Sequence, residues 1–87
     1  MKGFVYILKD EKGKFYIGST VDIRRRLKQH NSAHTKTTHR MQNPKLVLIQ
    51  EYNSLEIARK IERGIKNLKR KDYIEKMIND GYIRIIQ

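Results

Sequence analysis

Three polar residues stand at positions where helical periodicity favours apolar ones: Arg26, His30 and Glu62. At about 100° per residue, Arg26 and His30 share one arc of a helix with Ile23 and Leu27. A guanidinium on that arc needs a partner or a water-filled cleft, or it extends its charge to solvent from the edge of the apolar stripe. His30 is either a functional group or a semi-buried histidine whose hydrogen bonds are satisfied.

Glu62 raises a similar question on a later helix. Helical spacing puts it between Ala58 and Leu55, at the margin of the apolar face. A carboxylate there either pairs with Arg26 or binds a metal ion. The residue types and their spacing leave both possibilities open.

Two tyrosines precede these residues on a predicted β-hairpin. The β-prone segments 3–8 and 14–18 flank a glycine-containing turn, which favours a hairpin with a bulged three-residue loop. In that register Tyr6 faces Gly18. Side chains alternate along a strand, so Tyr6 and Tyr16 lie on one face as diagonal neighbours, with space left beside Tyr6 by the glycine.

The remaining pattern predicts one more strand and three helices. We expect an α+β domain with a small three-stranded, mainly antiparallel sheet in the order ββαβαα. The predicted elements are a helix opened by Ser19 and running to about Asn31, a loop over 32–44, a strand over Lys45 to Tyr52, a helix over Leu55 to Leu68 capped by Asn53 with Glu56, a helix over Asp72 to Asp80 ended by Gly81, and a short strand or packed tail over 82–86.

Composition and charge narrow the class of partner. The 87 residues contain 20 Lys and Arg against 9 Asp and Glu, a formal net charge of +11, and no Cys. A polyanion, nucleic acid first, is the expected partner. A membrane partner is not expected, because no segment has the apolar face of a membrane-surface helix. We expect a single domain over 1–87, without a disulfide framework and in the cytoplasm.

Taken together, these residues resemble the GIY-YIG endonuclease superfamily. The resemblance rests on Phe4-Val5-Tyr6, on Tyr16-Ile17-Gly18 about ten residues later, and on Arg26, His30 and Glu62 in that order. The chain is most similar to the small stand-alone branch that is related to the N-terminal nuclease domain of the UvrC repair protein. Phe4 stands where the first triplet usually begins with glycine.

The resemblance implies hydrolysis of phosphodiester bonds with one divalent cation. By position, Glu62 would hold Mg²⁺ or Mn²⁺, and Arg26 would brace the scissile phosphate with its planar donors. Tyr6 would act as general base or position water, with Tyr16 hydrogen-bonding water or phosphate beside it. His30 would complete the catalytic set. Since a free phenol has a pKa near 10, Tyr6 can act as a base only with help from neighbouring charge.

A second set of residues is expected to bind the nucleic acid. Ser19 and Thr20 would contact phosphate at a helix N-terminus, and Arg24, Arg25 and Lys28 would face outward toward a phosphate backbone. Ser19 stands where the repair nucleases carry lysine. We expect no additional targeting module, which leaves room for a protein partner that supplies specificity. The predicted function is therefore a metal-dependent DNA endonuclease, structure- or damage-directed as in DNA repair and weak alone; the alternative is a non-catalytic nucleic-acid-binding module.

Overall fold

The described residues form three strands and three helices, in the order ββαβαα that the sequence predicts. The computed structural model describes residues 1–31 and 43–83, with the side chains of 29–31 excepted. The fold is α+β, with one three-stranded antiparallel sheet, as expected. Its elements are β1 (Gly3–Lys9), β2 (Phe15–Thr20), α1 (Ile23–Asn31), β3 (Lys45–Tyr52), α2 (Leu55–Leu68) and α3 (Lys71–Asp80).

The β1–β2 hairpin has the predicted register. Tyr6 pairs with Gly18, and Leu8 pairs with Tyr16. Asp10 closes the loop, since its backbone N–H donates to the Lys14 carbonyl at 3.0 Å and its carboxylate accepts the Lys14 N–H at 2.7 Å. The loop also needs a positive φ of 83° at its third position, where glycine stands without strain.

Strand β1 lies at the centre of the sheet, in the order β2-β1-β3. Both neighbours run antiparallel to it, and its pairing with β3 shifts by one residue between Ile7 and Leu8. Side chains on both faces of β1 are buried, so both faces of this central strand are covered by other parts of the protein. Tyr6 and Ile7, adjacent in the chain, are 1% and 0% exposed.

Helix α1 begins later than the sequence predicts. Ser19 and Thr20 continue β2, where they pair with Val5 and Phe4, and the helix starts at Ile23. Asp22 caps it by accepting the backbone N–H of Arg25 at 3.1 Å. The prediction that Ser19 opens the helix is wrong, because cross-strand pairing with β1 outweighs its local preference for a helix cap.

Helices α2 and α3 have nearly the predicted bounds, with one change of cap. Ser54, rather than Asn53, caps α2, and its hydroxyl accepts the Ile57 backbone N–H at 3.2 Å. Gly81 ends α3 at a φ of 81°, and its N–H is shared between the carbonyls of Met77 and Ile78. This is the predicted C-terminal glycine.

A single apolar core holds α2 and α3 against one face of the sheet. Helix α2 packs against all three strands. The Ile83 N–H donates to the Gln50 side chain at 2.7 Å, so the chain after α3 packs as a tail as far as it is described. The core residues are Val5, Ile7, Ile17, Leu48, Ala58, Ile61, Ile65, Ile74, Met77 and Ile83.

No helix in residues 1–31 or 43–83 has the length and apolar character needed to cross a membrane. The 32–44 loop prediction lies outside the described residues except at its end, where the Asn43 amide donates to the Glu11 carboxylate at 2.6 Å.

Candidate active site

A cavity of about 400 Å³ opens beside β2, where this edge strand meets α1 and α2. Four of the five residues predicted to be catalytic or metal-binding line it, and most of its other lining residues are cations from α2. The sequence prediction that these side chains converge is therefore met for those four. The lining residues are Tyr6, Tyr16, Gly18, Ser19, Arg26, Arg59, Glu62, Arg63 and Lys66.

Strand pairing brings the two tyrosines together. Their ring centroids are 6.2 Å apart with an interplanar angle of 36°, and their side chains are hydrogen-bonded. Gly18 makes this arrangement possible, since an added Cβ at that position would lie 2.5 Å from the Tyr6 Cζ. The space beside Tyr6 is required for the ring itself, as the sequence indicates.

Burial raises the pKa of the Tyr6 phenol well above its ordinary value. The neighbouring Tyr16 and the charge of Glu62 raise the pKa further, whereas the charge of Arg26 opposes them. At neutral pH the Tyr6 phenol is therefore protonated and a hydrogen-bond donor. Of the two roles predicted for Tyr6, positioning water fits this protonated state better than acting as a general base.

Arg26 reaches the cavity from the first full turn of α1. Its backbone N–H donates to the Asp22 carbonyl at 3.1 Å, which fixes the start of the helix. The side chain is half-buried and lines the cavity with both tyrosines. A guanidinium in this position has several donors for an anion that enters the cavity.

Glu62 is held by two neighbours, neither of which is Arg26. Its carboxylate accepts the Ser19 hydroxyl on Oε1 and the Lys66 ammonium on Oε2, the latter at 2.6 Å. The side chain is 19% exposed. In the described part of the chain, the predicted alternative of an Arg26–Glu62 ion pair is wrong, because Lys66 lies one turn along the same helix and reaches Glu62 first.

Three cations of the site were not predicted from the sequence. Arg59, Arg63 and Lys66 lie on α2 at three residues before, one after and four after Glu62. Helical spacing puts all of them within about 100° of Glu62, so the same periodicity that selected the carboxylate could have found them. The cavity consequently has a cationic rim around its single carboxylate.

The residues predicted to bind a nucleic-acid backbone fall into two groups. Arg24, Arg25 and Lys28 are exposed on α1, as expected of an outward face. Ser19 and Thr20 lie in β2, so their predicted position at a helix N-terminus is wrong. Ser19 donates to Glu62, and the Thr20 hydroxyl accepts the Asp22 N–H at 3.1 Å.

His30 lies in α1, four residues after Arg26. Its side chain lies outside the described part of the structure, so its predicted catalytic role stays a prediction.

Comparisons with known proteins give one consistent family. Residues 2–77 match the GIY-YIG catalytic domain. A UPF0213 protein from Streptococcus pneumoniae serotype 4 is 40% identical over 70 residues, which span 79% of this chain and 71% of that protein. A UPF0213 protein from Syntrophus aciditrophicus is 36% identical over 76 residues, which span 85% of this chain and 87% of that protein.

A solved structure supports the same assignment. The solution NMR structure of UPF0213 protein BH0048 from Bacillus halodurans superposes with a TM-score of 0.59 and 33% identity, covering 93% of this chain and 87% of that chain. The family match extends from the hairpin through α2 into α3, and it includes every described residue of the cavity. The chain therefore belongs to the GIY-YIG family.

Proposed function

We propose that this chain is a metal-dependent endonuclease that hydrolyses phosphodiester bonds in DNA. The observation that carries the proposal is the convergence of Tyr6, Tyr16, Arg26 and Glu62 on one cavity. Membership of a nuclease family and a net charge of +11 support the same substrate class. A cavity with two phenols, a carboxylate and a cationic rim suits a phosphate better than a neutral ligand.

Binding of the scissile phosphate is the part of the reaction that the cationic rim supports most directly. Arg26 approaches the cavity from α1, whereas Arg59 and Arg63 approach it from α2. Guanidinium groups on two sides of a phosphate can stabilise the charge that develops on its oxygens during hydrolysis. They also orient the phosphorus toward the attacking water.

Glu62 is the residue that would hold the divalent cation. The described residues contain no cluster of three His, Cys, Asp or Glu, and Glu62 is the carboxylate that lines the cavity. Mg²⁺ and Mn²⁺ suit the site, because ions of this type often take one carboxylate and complete their shell with water and phosphate oxygens. When bound, the cation polarises the phosphate and acidifies water. Ser19 orients the carboxylate, and Lys66 must release Oε2.

The tyrosines would act on the nucleophilic water. Because the Tyr6 pKa is raised by burial, its phenol donates a hydrogen bond at neutral pH. Tyr16 is less buried and hydrogen-bonded to Tyr6, so its hydroxyl is available to water at the mouth of the cavity. The pair would therefore hold and orient a water rather than remove its proton by itself.

One observation favours a second candidate function, a nucleic-acid-binding module without catalysis. The Glu62–Lys66 ion pair occupies a carboxylate oxygen that a metal would need. In a pure binding module that pair would simply stay closed. The two candidates differ in whether a divalent cation opens the pair.

Cleavage assays on plasmid, branched and damaged DNA with Mg²⁺ or Mn²⁺ test the proposal. Glu62→Gln and Arg26→Gln should each lower the rate by about 10²-fold to 10³-fold. Lys60→Gln is the matched control, since Lys60 is exposed on the opposite side of α2, and it should cleave like the wild type. Wild-type cleavage no faster than that of Glu62→Gln would reject the enzyme and favour the binding module.

A further inference from the structure

A second groove of about 300 Å³ runs beside the same edge strand, where the end of α2 turns into α3. Its apolar lining consists of the half-buried Phe15 and of Ile17, Ile65 and Ile74, which are buried in the core. Its rim includes Lys69 and Lys71, both exposed. The groove therefore combines a surface that packs against uncharged groups with cations at its edge.

The groove continues the candidate active site. Lys66 lines both the cavity and the groove, and Ser19 of the cavity lies on the same face of β2 as Phe15 and Ile17 of the groove. At about 1.5 Å per helical residue, Lys69 lies roughly 10 Å along α2 from Glu62. A nucleic-acid strand that rises about 3.4 Å per nucleotide would cover that distance with about three nucleotides.

The cations of this corner differ in what they contact. Arg70 is engaged locally: its guanidinium donates two hydrogen bonds to Asp72, at 2.7 and 3.2 Å, and lies 4.3 Å from the centre of the Tyr73 ring. Lys69 and Lys71 take part in no ion pair with the other described residues. These two ammonium groups are the ones available to an external anion.

The backbone conformation of Lys69 also supports a role for this lysine in the groove. Lys69 is the C-cap of α2 and has a φ of 51°, in the left-handed region. Glycine is the usual residue there, because any side chain strains this conformation. A lysine at such a position keeps a charge at the groove at the expense of local stability.

We propose that this groove binds the sugar-phosphate backbone of the DNA strand whose scissile phosphate occupies the candidate active site. The proposal rests on the proposed function and adds the path of the strand, along β2 from the cavity to the α2–α3 corner. Lys69 and Lys71 pair with phosphates, and the partly exposed Phe15 ring packs against sugars. An acidic peptide fits less well, since it carries no phosphodiester to occupy the candidate active site at the other end of this path.

The test compares two double variants of equal charge. Lys69→Gln/Lys71→Gln removes both groove cations, whereas Lys60→Gln/Lys76→Gln removes two exposed cations outside the groove. Fluorescence anisotropy with labelled DNA, in the presence of a chelator, gives the slope of log affinity against log salt. The groove variant should flatten that slope by about 1.4 on single strands and about 1.8 on duplex, relative to the control. Equal slopes for the two double variants overturn the proposal.

A third variant separates binding from folding. Lys69→Gly relieves the left-handed strain and removes one cation, so it should raise the thermal midpoint and flatten the slope by about 0.7 to 0.9. A higher thermal midpoint with an unchanged salt slope would overturn the proposal that the groove binds DNA. Binding in chelator does not depend on cleavage: a wild type that never cleaves but shows the slope difference rejects the endonuclease and keeps the groove.

Discussion

The two faces of β1 show how one short strand contributes to the core and to the candidate active site at once. On one face Ile7 is fully buried in the core beneath α2. On the other face Tyr6 is equally buried but contacts Tyr16 and borders the cavity. The two side chains are buried to the same extent, but they contact different kinds of neighbours. The exposed fraction alone would therefore give no indication of which side chain belongs to the candidate site.

This difference has a physical origin in the edge strand. Glycine at position 18 removes a side chain opposite Tyr6, and the ring occupies the space that results. Opposite Ile7, Ile17 and Leu48 fill the corresponding space. One face is closed by apolar packing, and the other keeps an opening lined by polar groups. The following substitutions test that division.

Truncation in the core should have the largest effect on stability. Ile7→Ala should lower the free energy of unfolding by about 2 to 5 kcal/mol, because it leaves a cavity among fully buried neighbours. Chemical denaturation measures the change. Ile49→Ala is the control on the cavity-side face, since Ile49 pairs with Tyr6 and is 40% exposed, and it should cost about 1 kcal/mol. Similar losses for the two variants would contradict the division.

Gly18→Ala should impair both stability and cleavage. The added methyl overlaps the Tyr6 ring, so we expect a loss of about 1 to 3 kcal/mol and a displaced phenol. Denaturation and cleavage should both be impaired. Gly13→Ala provides the contrast: it strains the hairpin loop at a positive φ but has no neighbour within 4 Å, so cleavage should persist. Full cleavage by Gly18→Ala would mean that the Tyr6 position is not critical.

Removal of the Lys66 charge should have a smaller effect. Lys66→Met opens the ion pair on Glu62, and such pairs contribute under about 1 kcal/mol. The divalent concentration for half-maximal cleavage should fall by about twofold to fivefold if Lys66 and the cation compete. A titration with Mg²⁺ measures it, with Lys60→Met as the control of equal charge. An increased requirement for metal would show that Lys66 assists the cation instead.

The smallest effect concerns alkaline stability. The Tyr6 pKa is raised in the folded protein, so the folded state holds this proton more tightly than the unfolded state. Its contribution is fully present below the ordinary phenol pKa of about 10 and is lost as the pH rises above that value. Denaturation between pH 9 and 11 should show a steeper decline for the wild type than for Tyr6→Phe. Parallel curves would contradict the raised pKa.

Features that depend on local pattern were predictable from the sequence. The hairpin register follows from alternation and one turn glycine, and the bounds of α2 follow from its periodic apolar residues. Tyr6, Tyr16, Arg26 and Glu62 were correctly grouped because each falls on a definite face of a strand or helix. The family resemblance then supplied the roles that spacing alone left open.

Features that depend on competition between partners were not predictable. Ser19 has the chemistry of a helix cap, but pairing with Val5 keeps it in β2 and directs its hydroxyl to Glu62. Whether Glu62 pairs with Arg26 on α1 or with Lys66 on its own helix depends on how α1 lies against α2, and in the structure Lys66 is the partner. The groove at the α2–α3 corner requires the packing of α3 against α2, which no local pattern specifies.

Two single substitutions at neighbouring positions of β1 test the division between its two faces most directly. The cleavage rate and the free energy of unfolding should be measured for Tyr6→Phe and for its neighbour Ile7→Val. Tyr6→Phe should cleave about 10²-fold to 10³-fold more slowly while its stability changes by about 1 kcal/mol or less. Ile7→Val should lose about 0.5 to 1.5 kcal/mol and cleave like the wild type. Undiminished cleavage by Tyr6→Phe, or an equal loss of cleavage in both variants, would contradict the division.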